Sequence, residues 1–469
     1  MPTPITIRVS IDGLDAYAGG DDSWELGTPT VLDGLTFGWG RDSIVDQPDS
    51  GTCPFTLHQH LTGDPGQVTL FDRVRAGAVV KIYSAADGAE VLSWSGKITS
   101  ANVTQVNDNA LAAGVTATDW VAPLSKRTIG ADPWPEQSAG SRFNAIIAAT
   151  RKLGGLSTLA ASMDDSLKDR RVAFRDVDKQ PPMDLLRNLA QTVGGIAWVT
   201  ATGTGPSVWI EDPTARQGLR QFVIAPGPEV SIGQVDLGLE GYNEWRAADV
   251  VRDPLTWTQD PAQAVNTVEI NWMRPAGRNE QRNPAYNEAT TTQSDGSTDP
   301  QPLTIDTELV SSSDATLLAT RWMLNVHSAD WLLAGLSIDT AALGRPLPGT
   351  SDAGRLAEVM ALLDIRRRIG RRLTITGMPD WSPVGPVQSF YIEGGTYTWT
   401  AGRWQLELTA TSNAIGGAAT FRDFAGTGVT FADFRPTSLR VIDIAGVAGP
   451  GGFPIGFGAG GFGQQPFGN

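Results

Sequence analysis

Cysteine is nearly absent: Cys53 is the only one in 469 residues. An intrachain disulfide and a cysteine zinc site are therefore excluded, and nothing calls for an oxidising compartment. Histidine is scarce as well, with only His58, His60 and His327. Positive charge is in deficit, and the formal net charge is −15. Such a chain is a poor non-specific partner for nucleic acid or an anionic membrane, because phosphate binding rests on clustered Lys and Arg. Lysine is the rarer cation, six against thirty arginines, which with abundant Ala, Gly, Asp and Val reads as a GC-rich genome. No apolar run approaches the roughly 18 residues of a membrane-spanning helix, so no membrane segment is expected. Met1–Asp12 has neither a basic stretch nor an apolar one after it, so no signal peptide is expected and a soluble protein is.

Catalytic signatures are missing too. There is no Gly-x-Ser-x-Gly elbow, no His-Glu-x-x-His, no phosphate loop around Gly96-Lys97 and no calcium loop. Gly-rich 449–463 has chance Gly-x-Gly matches without a strand or helix around them. His58 and His60 sit two apart on a strand and could share one face, but a metal site needs further ligands from elsewhere. His327 is placed at the end of a helix, where an imidazole suits the negative dipole end. Cys53, between apolar neighbours, reads as packing. Dispersed carboxylates such as Asp164-Asp165 leave only a hidden glycosidase-type hydrolase open. No enzyme, no cofactor and no metal are expected.

What is plentiful is glycine (53), proline (30) and tryptophan (15). Many turns and short strands follow, and a helix bundle or coiled coil is excluded. Residues 1–128 read as a first β domain, a small barrel or sandwich. Ile5, Ile7 and Val9 alternate, as do Leu35, Phe37 and Trp39, and Asp12-Gly13 marks a turn. Residues 129–228 read as a small α/β domain. A helix capped by Ser141 runs to about Leu153, a second starts at Pro181-Pro182 and ends at Gly194-Gly195, and a hairpin follows. Residues 229–412 return to β, with a long polar loop at 274–302 and one helix at 313–326 capped by Ser313 or Asp314. Most tryptophans lie in strand-like runs and read as core. Exposed ones could instead anchor an interface or stack on sugars.

Residues 413–469 are different. Thr420-Phe-Arg-Asp-Phe424 recurs as Thr430-Phe-Ala-Asp-Phe434, and a Gly-rich stretch carries Phe453, Phe457, Phe462 and Phe467. Such a segment cannot build a core alone and is expected to be held extended against a neighbouring subunit. Arg366, Arg367, Arg368, Arg371 and Arg372 form a dense cluster. It could pair with acids of a neighbouring subunit, lie solvated, or touch nucleic acid. In so acidic a chain the first is favoured. These five arginines and four phenylalanines are the candidate subunit-interface residues.

Several motifs in order carry a resemblance. They are Leu35-Thr-Phe-Gly-Trp-Gly-Arg41, Asp46-Gln-Pro48, the strand Cys53–His60, Gly96-Lys-Ile, Val115-Thr-Ala-Thr-Asp-Trp120 and Leu124-Ser-Lys-Arg-Thr-Ile-Gly130. Further along come Trp257-Thr-Gln-Asp260, Val265-Asn-Thr-Val-Glu-Ile-Asn-Trp272, Ile392-Glu-Gly-Gly395 and Trp404-Gln-Leu-Glu-Leu408. Over most of 1–412 the chain resembles minor tail proteins of actinobacterial long-tailed (siphovirus-type) phages, of the baseplate or tail-tip hub family. The resemblance implies a mainly β fold with a small α/β insertion, in which two tube-type β-barrels flank smaller domains. It implies a homotrimeric structural protein of the virion tail, assembled in the host cytoplasm. Its partners would be a distal tail protein, a tape measure protein and other minor tail or receptor-binding proteins, with a role in host attachment. A hexameric distal tail ring and a receptor- or glycan-binding minor tail protein are the alternatives.

Overall fold

The computed structural model describes residues 5–18, 27–31, 34–42, 46–86, 88–202, 205–212, 230–231, 256–258, 265–275, 286–294, 296, 301–326, 332–339, 359–360, 362–365, 372–376, 387–400 and 403–412. The fold is mainly β. The first strands are β1 (Thr6–Ile11), β2 (Leu14–Ala18), β3 (Thr30–Val31), β4 (Leu35–Gly40) and β5 (Thr52–His60). A short helix α1 (Leu70–Arg73) leads to β6 (Val79–Ala86), β7 (Ala89–Asn107) and β8 (Ala110–Asp119). All but β4 close into a seven-stranded barrel in the order β1-β2-β3-β5-β8-β7-β6. Period-two alternation builds it: Ile7, Val9 and Ile11, then Cys53, Phe55 and Leu57, then Ala113, Val115 and Ala117 all point inward. Asp12 and Gly13, with φ of 45° and 88°, form the two-residue left-handed turn that matches hairpin twist between β1 and β2.

The alternating Leu35, Phe37 and Trp39 do not join that barrel. β4 pairs antiparallel with a C-terminal strand, Leu35 opposite Trp399 and Gly40 opposite Gly394. The division at residue 128 therefore needs correcting for this strand. Alternation shows that one face is buried but is silent on which strand lies alongside.

The α/β unit runs from α2 (Val121–Lys126) and β9 (Ile129–Trp134) through β10 (Gln137–Ser138), α3 (Ala139–Arg151) and β11 (Ala160–Met163). It continues with α4 (Asp165–Lys168), β12 (Arg171–Val172), β13 (Arg175–Gln180), α5 (Pro182–Thr192), β14 (Ile196–Thr202) and β15 (Gly205–Glu211). Its main sheet is β11-β15-β14. The cap of α3 is Ser138 rather than Ser141: Ser138 is extended (φ −70°, ψ 151°), and its hydroxyl accepts from the Ser141 N–H. α5 starts with Pro182 in its first turn, where a missing N–H costs nothing. Its Met183, Leu185, Leu186 and Leu189 are buried in the same core as Phe143, Ile146 and Ile147 of α3.

Next come β16 (Val230–Ser231), β17 (Thr256–Thr258), β18 (Thr267–Pro275), β19 (Tyr286–Ser294), β20 (Pro302–Asp306) and α6 (Ser312–Val326). A three-stranded sheet, β19-β18-β20, packs Val268, Ile270 and Ile305 against Ala315, Leu318 and Ala319 of α6. The expected polar loop at 274–302 is thus corrected: β19 lies inside it, paired along the length of β18. Its Thr-rich sequence is β-forming, and as an edge strand it needs few apolar residues. Ser311, not Ser313 or Asp314, caps α6, accepting from the Asp314 N–H at 3.3 Å. His327 lies outside the described residues. Among the described residues no helix is long and apolar enough to cross a membrane.

The last strands are β21 (Leu332–Asp339), β22 (Arg372–Thr376), β23 (Val387–Thr400) and β24 (Arg403–Ser412). They form a sheet in the order β16-β22-β23-β24-β21-β17, with β4 also on β23. β23 is one continuous strand with a register shift against β24 between Ile392 and Gly394. Barrel and sheet share one core. Phe37 lies 5.4 Å from the Tyr397 ring and 5.5 Å from Trp404, and the Trp404 indole N–H donates to Ser84 of the barrel at 3.1 Å. Burying each such ring contributes about 2–3 kcal/mol. Gly40 has φ of 87°, and a Cβ there would collide with the Glu393 carbonyl oxygen and the Gly394 Cα. Gly40→Ala is expected to cost on the order of 2–5 kcal/mol, from backbone strain plus overpacking. A lower urea midpoint at unchanged slope would show it; an unshifted midpoint would refute it.

Candidate functional site

Among the described residues the side-chain cluster that stands out is a joint between the units rather than a catalytic constellation. Arg41 follows β4, and Glu393 lies in β23 beside the register shift. The Arg41 Nε donates to Glu393 Oε2 at 2.7 Å, and both side chains are 1% exposed. Arg41 Nη1 also donates to the Asp46 carbonyl at 2.9 Å, and its backbone N–H to the Glu393 carbonyl at 3.1 Å. An ion pair this deep holds only if each partner is well bonded, because desolvation of either alone is severe.

The segment after Arg41 reaches the α/β unit. Gln47 acts as a peptide would: its Nε2 donates to the Gly195 carbonyl at 3.2 Å and its Oε1 accepts from the Ala197 N–H at 3.0 Å. Arg187 of α5 donates to the Pro48 carbonyl and, at 2.9 Å, to Asp49 Oδ1. The Asp49 N–H returns to the Gly40 carbonyl at 3.2 Å. At the end of β8, Asp119 accepts from the Gly51 N–H at 2.8 Å and the Val121 N–H at 3.0 Å. Burial pushes its carboxyl up to about 7. The N–H groups of Gly51, Val121 and Ala122, and the Arg187 charge, pull the other way. Trp120 sits beside it, donating to Ser95 Oγ at 3.1 Å under the Lys97 ammonium 4.9 Å away.

A second joint ties the β19-β18-β20 unit to the α/β unit through Glu308. Its carboxylate takes Arg142 Nη1 at 3.1 Å and also Arg175. Its N–H donates to Thr192 Oγ1 at 3.2 Å, and its carbonyl accepts from the Ala173 N–H at 2.8 Å. Burial lowers the Arg142 pKa, and Glu308 works against that shift. Tyr286 of β19 reaches Glu136 at 3.0 Å.

Of the sequence candidates, Arg366, Arg367, Arg368, Arg371, Phe453, Phe457, Phe462 and Phe467 lie outside the described residues. Arg372 opens β22, with its backbone opposite Tyr391. His58 and His60 share the outer face of β5 with ring centroids 4.8 Å apart. Among the described residues no group of three or more His, Cys, Asp or Glu is placed to hold a metal. Cys53 is buried, and desolvation raises its thiol pKa. Arg41, Gln47, Asp119 and Glu393 lie within motifs that carry the resemblance, whereas Arg187 and Glu308 lie outside them and carried no signal.

No family model matches this sequence, and no curated protein matches it. The fold is similar to the 43 kDa tail protein of prophage MuSo2 from Shewanella oneidensis, at 11% identity and TM-score 0.48, over 87% of this chain and 98% of that one. It is similar to the tail protein from Neisseria meningitidis MC58, at 11% identity and TM-score 0.49, over 88% and 97%. It is also similar to the prophage tail protein gp18 from Listeria monocytogenes EGD-e, at 9% identity and TM-score 0.43, over 91% and 98%.

Two outcomes are expected of the joint. Glu393→Gln removes the charge opposite a buried guanidinium and should cost about 3–5 kcal/mol in a urea melt, whereas Arg41→Met with Glu393→Leu should recover most of it. An equally damaged double variant would disprove the pairing. For Asp119, the folded state holds its proton more tightly than the unfolded one, whose value is near 3.8. Its contribution to stability is therefore full below that value and is lost as pH rises through about 7. Asp119→Asn removes that loss, so its urea midpoint should gain on the parent's between about pH 4 and pH 7.5. A constant difference across that range would count against the assignment.

Proposed function

We propose that this protein is a structural component of a phage tail, a trimeric hub at the tail tip, with no catalysis of its own. One observation carries the reading. Several of the motifs that resemble tail-tip hub proteins are far apart in sequence yet meet at one joint. Leu35–Gly40 lies along Gly394–Trp399, Arg41 pairs with Glu393, Asp46 to Pro48 bonds the α/β unit and Arg41, and Trp404 bonds Ser84. Motif residues engaged in the fold's own closure, and in no exposed constellation, are what a structural role asks for.

In this reading the barrel and the β16-β22-β23-β24-β21-β17 sheet are the two tube-type units. Three chains then offer six similar units to a sixfold tail tube and threefold symmetry on the other side, to a fibre or receptor-binding protein. Ring closure needs head-to-tail contacts, which favours large interfaces. The cluster Arg366, Arg367, Arg368, Arg371 and Arg372 would pair with acids of a neighbour, and Phe453, Phe457, Phe462 and Phe467 would pack on it. The partners would be a distal tail protein and the tape measure protein. The chain would reside in the virion tail after assembly in the host cytoplasm.

Light scattering is expected to read a mass near three times 49.8 kDa, and intact particles to contain three copies. Six copies would transfer the chain to a distal tail ring. A monomer absent from particles would overturn the reading in favour of a glycan-binding module.

A further inference from the structure

β7 is 19 residues long and its neighbour β6 only 8. Their pairing runs from Ala86 opposite Ala89 to Val79 opposite Lys97, and Ile98 still exchanges bonds with Gly77 and Ala78. From Thr99 to Asn107, β7 pairs with β8 on one side, and no strand lies on the other among the described residues. Between Ser100 and Gln105 the register with Thr116 to Leu111 is unbroken. Outward peptide groups along such an edge can template another strand. Natural edges are commonly guarded by charge or proline, and Thr99-Ser-Ala-Asn-Val-Thr-Gln-Val-Asn107 has neither.

An ordered apolar surface adjoins the same barrel end. Gln59 lies opposite Leu111, which lies opposite Gln105. The fully buried Gln59 amide donates to the Gly27 and Val68 carbonyls and accepts from the Leu70 N–H, all at 2.9 Å. Asp72 and Thr69 complete a capping box on α1. This bonding holds Val68 and Phe71 in water, 41% and 59% exposed, with Val106 of the edge at 57%. A rigid support for exposed apolar side chains beside an open edge fits strand addition, where the backbone supplies affinity and side chains supply specificity.

We infer that the Thr99–Asn107 edge receives the C-terminal segment, 413–469, of a neighbouring copy. This rests on the reading that the tail packs between subunits and names the surface it takes. The described fold stops at Ser412, and 57 residues follow, a reach of roughly 190 Å when extended. Leu439-Arg-Val-Ile-Asp-Ile444 has the β-branched content of an added strand. From Ile444 to Asn469 the sequence has no Asp, Glu, Lys or Arg. Such a run can lie along the uncharged Thr99–Asn107 edge without burying a charged side chain of its own. Its four spaced phenylalanines match the apolar character of Val68, Phe71 and Val106.

Amide exchange read by mass spectrometry tests this on the full chain and on a chain ending at Ser412, with light scattering on both. Backbone exchange over Ser100–Gln105 should be about tenfold faster in the shortened chain while β5 and β8 stay unchanged. The full-length chain with all four phenylalanines from 453 to 467 replaced by Ser should exchange equally fast there. Equal rates at the edge in all three would overturn the inference while leaving a trimer mass, if found, intact. Slow exchange at dilutions where scattering reads a monomer would overturn the assignment to a neighbour.

Discussion

The insertion of β4 into the C-terminal sheet constrains everything else. Residues near position 40 and near 395 share one ladder, so the chain between them is a loop closed by hydrogen bonds. Strands β5 to β8 of the barrel, the α/β unit and the β19-β18-β20 unit all lie within that loop, and β1 to β3 precede it. Strand pairing alone does not fix such a closure, because a slip by one residue would turn Leu35, Phe37 and Trp39 outward together and bring Thr36 and Gly38 inward. The Arg41–Glu393 pair removes the ambiguity. In any other register both charges would stay buried apart, at a cost several times the stability gained by a backbone bond.

Arginine does the joining. Arg41 bonds the Asp46 carbonyl, Arg142 the Ala173 carbonyl, Arg170 the Val193 carbonyl and Arg187 the Pro48 carbonyl. Each of these links a side chain to backbone elsewhere in the chain. A planar fork of five donors can serve a carboxylate and a carbonyl at once, which a lysine ammonium does less well. The excess of arginine over lysine, legible as genome composition, therefore also has a structural use. The acidic excess is consistent with it: Glu308, Glu393 and Asp212 are spent on guanidinium groups inside the fold.

Elements with a strong period were legible in the sequence. Leu185, Leu186 and Leu189 behind two prolines located α5, and the 196–211 hairpin followed from its alternation. What failed was partnership. Leu35–Trp39 reads as a strand from its pattern, but the partner lies some 360 residues away, and local propensity carries no information over that distance. β19 failed for the opposite reason: a polar edge strand lacks the apolar period on which strand recognition rests. The site was less legible still. Gln47 and Asp119 act through backbone atoms of other units, a role for which residue type gives no warning.

A closed, cross-braced loop has a consequence for assembly. Buried ion pairs between units raise the cost of moving them apart, so the ordering entropy of association falls mainly on whatever segment does the docking. In this chain the described fold ends at Ser412, leaving 57 residues for that task. Glycine there lowers the strain of close backbone approach but raises the ordering cost, so anchoring must come from a few large side chains. Phenylalanine at intervals of four or five residues supplies them with the fewest ordered rotors. In the proposed reading the labour divides accordingly: a core that spends charges internally to fix one register, and a segment, uncharged beyond Asp443, held by another surface.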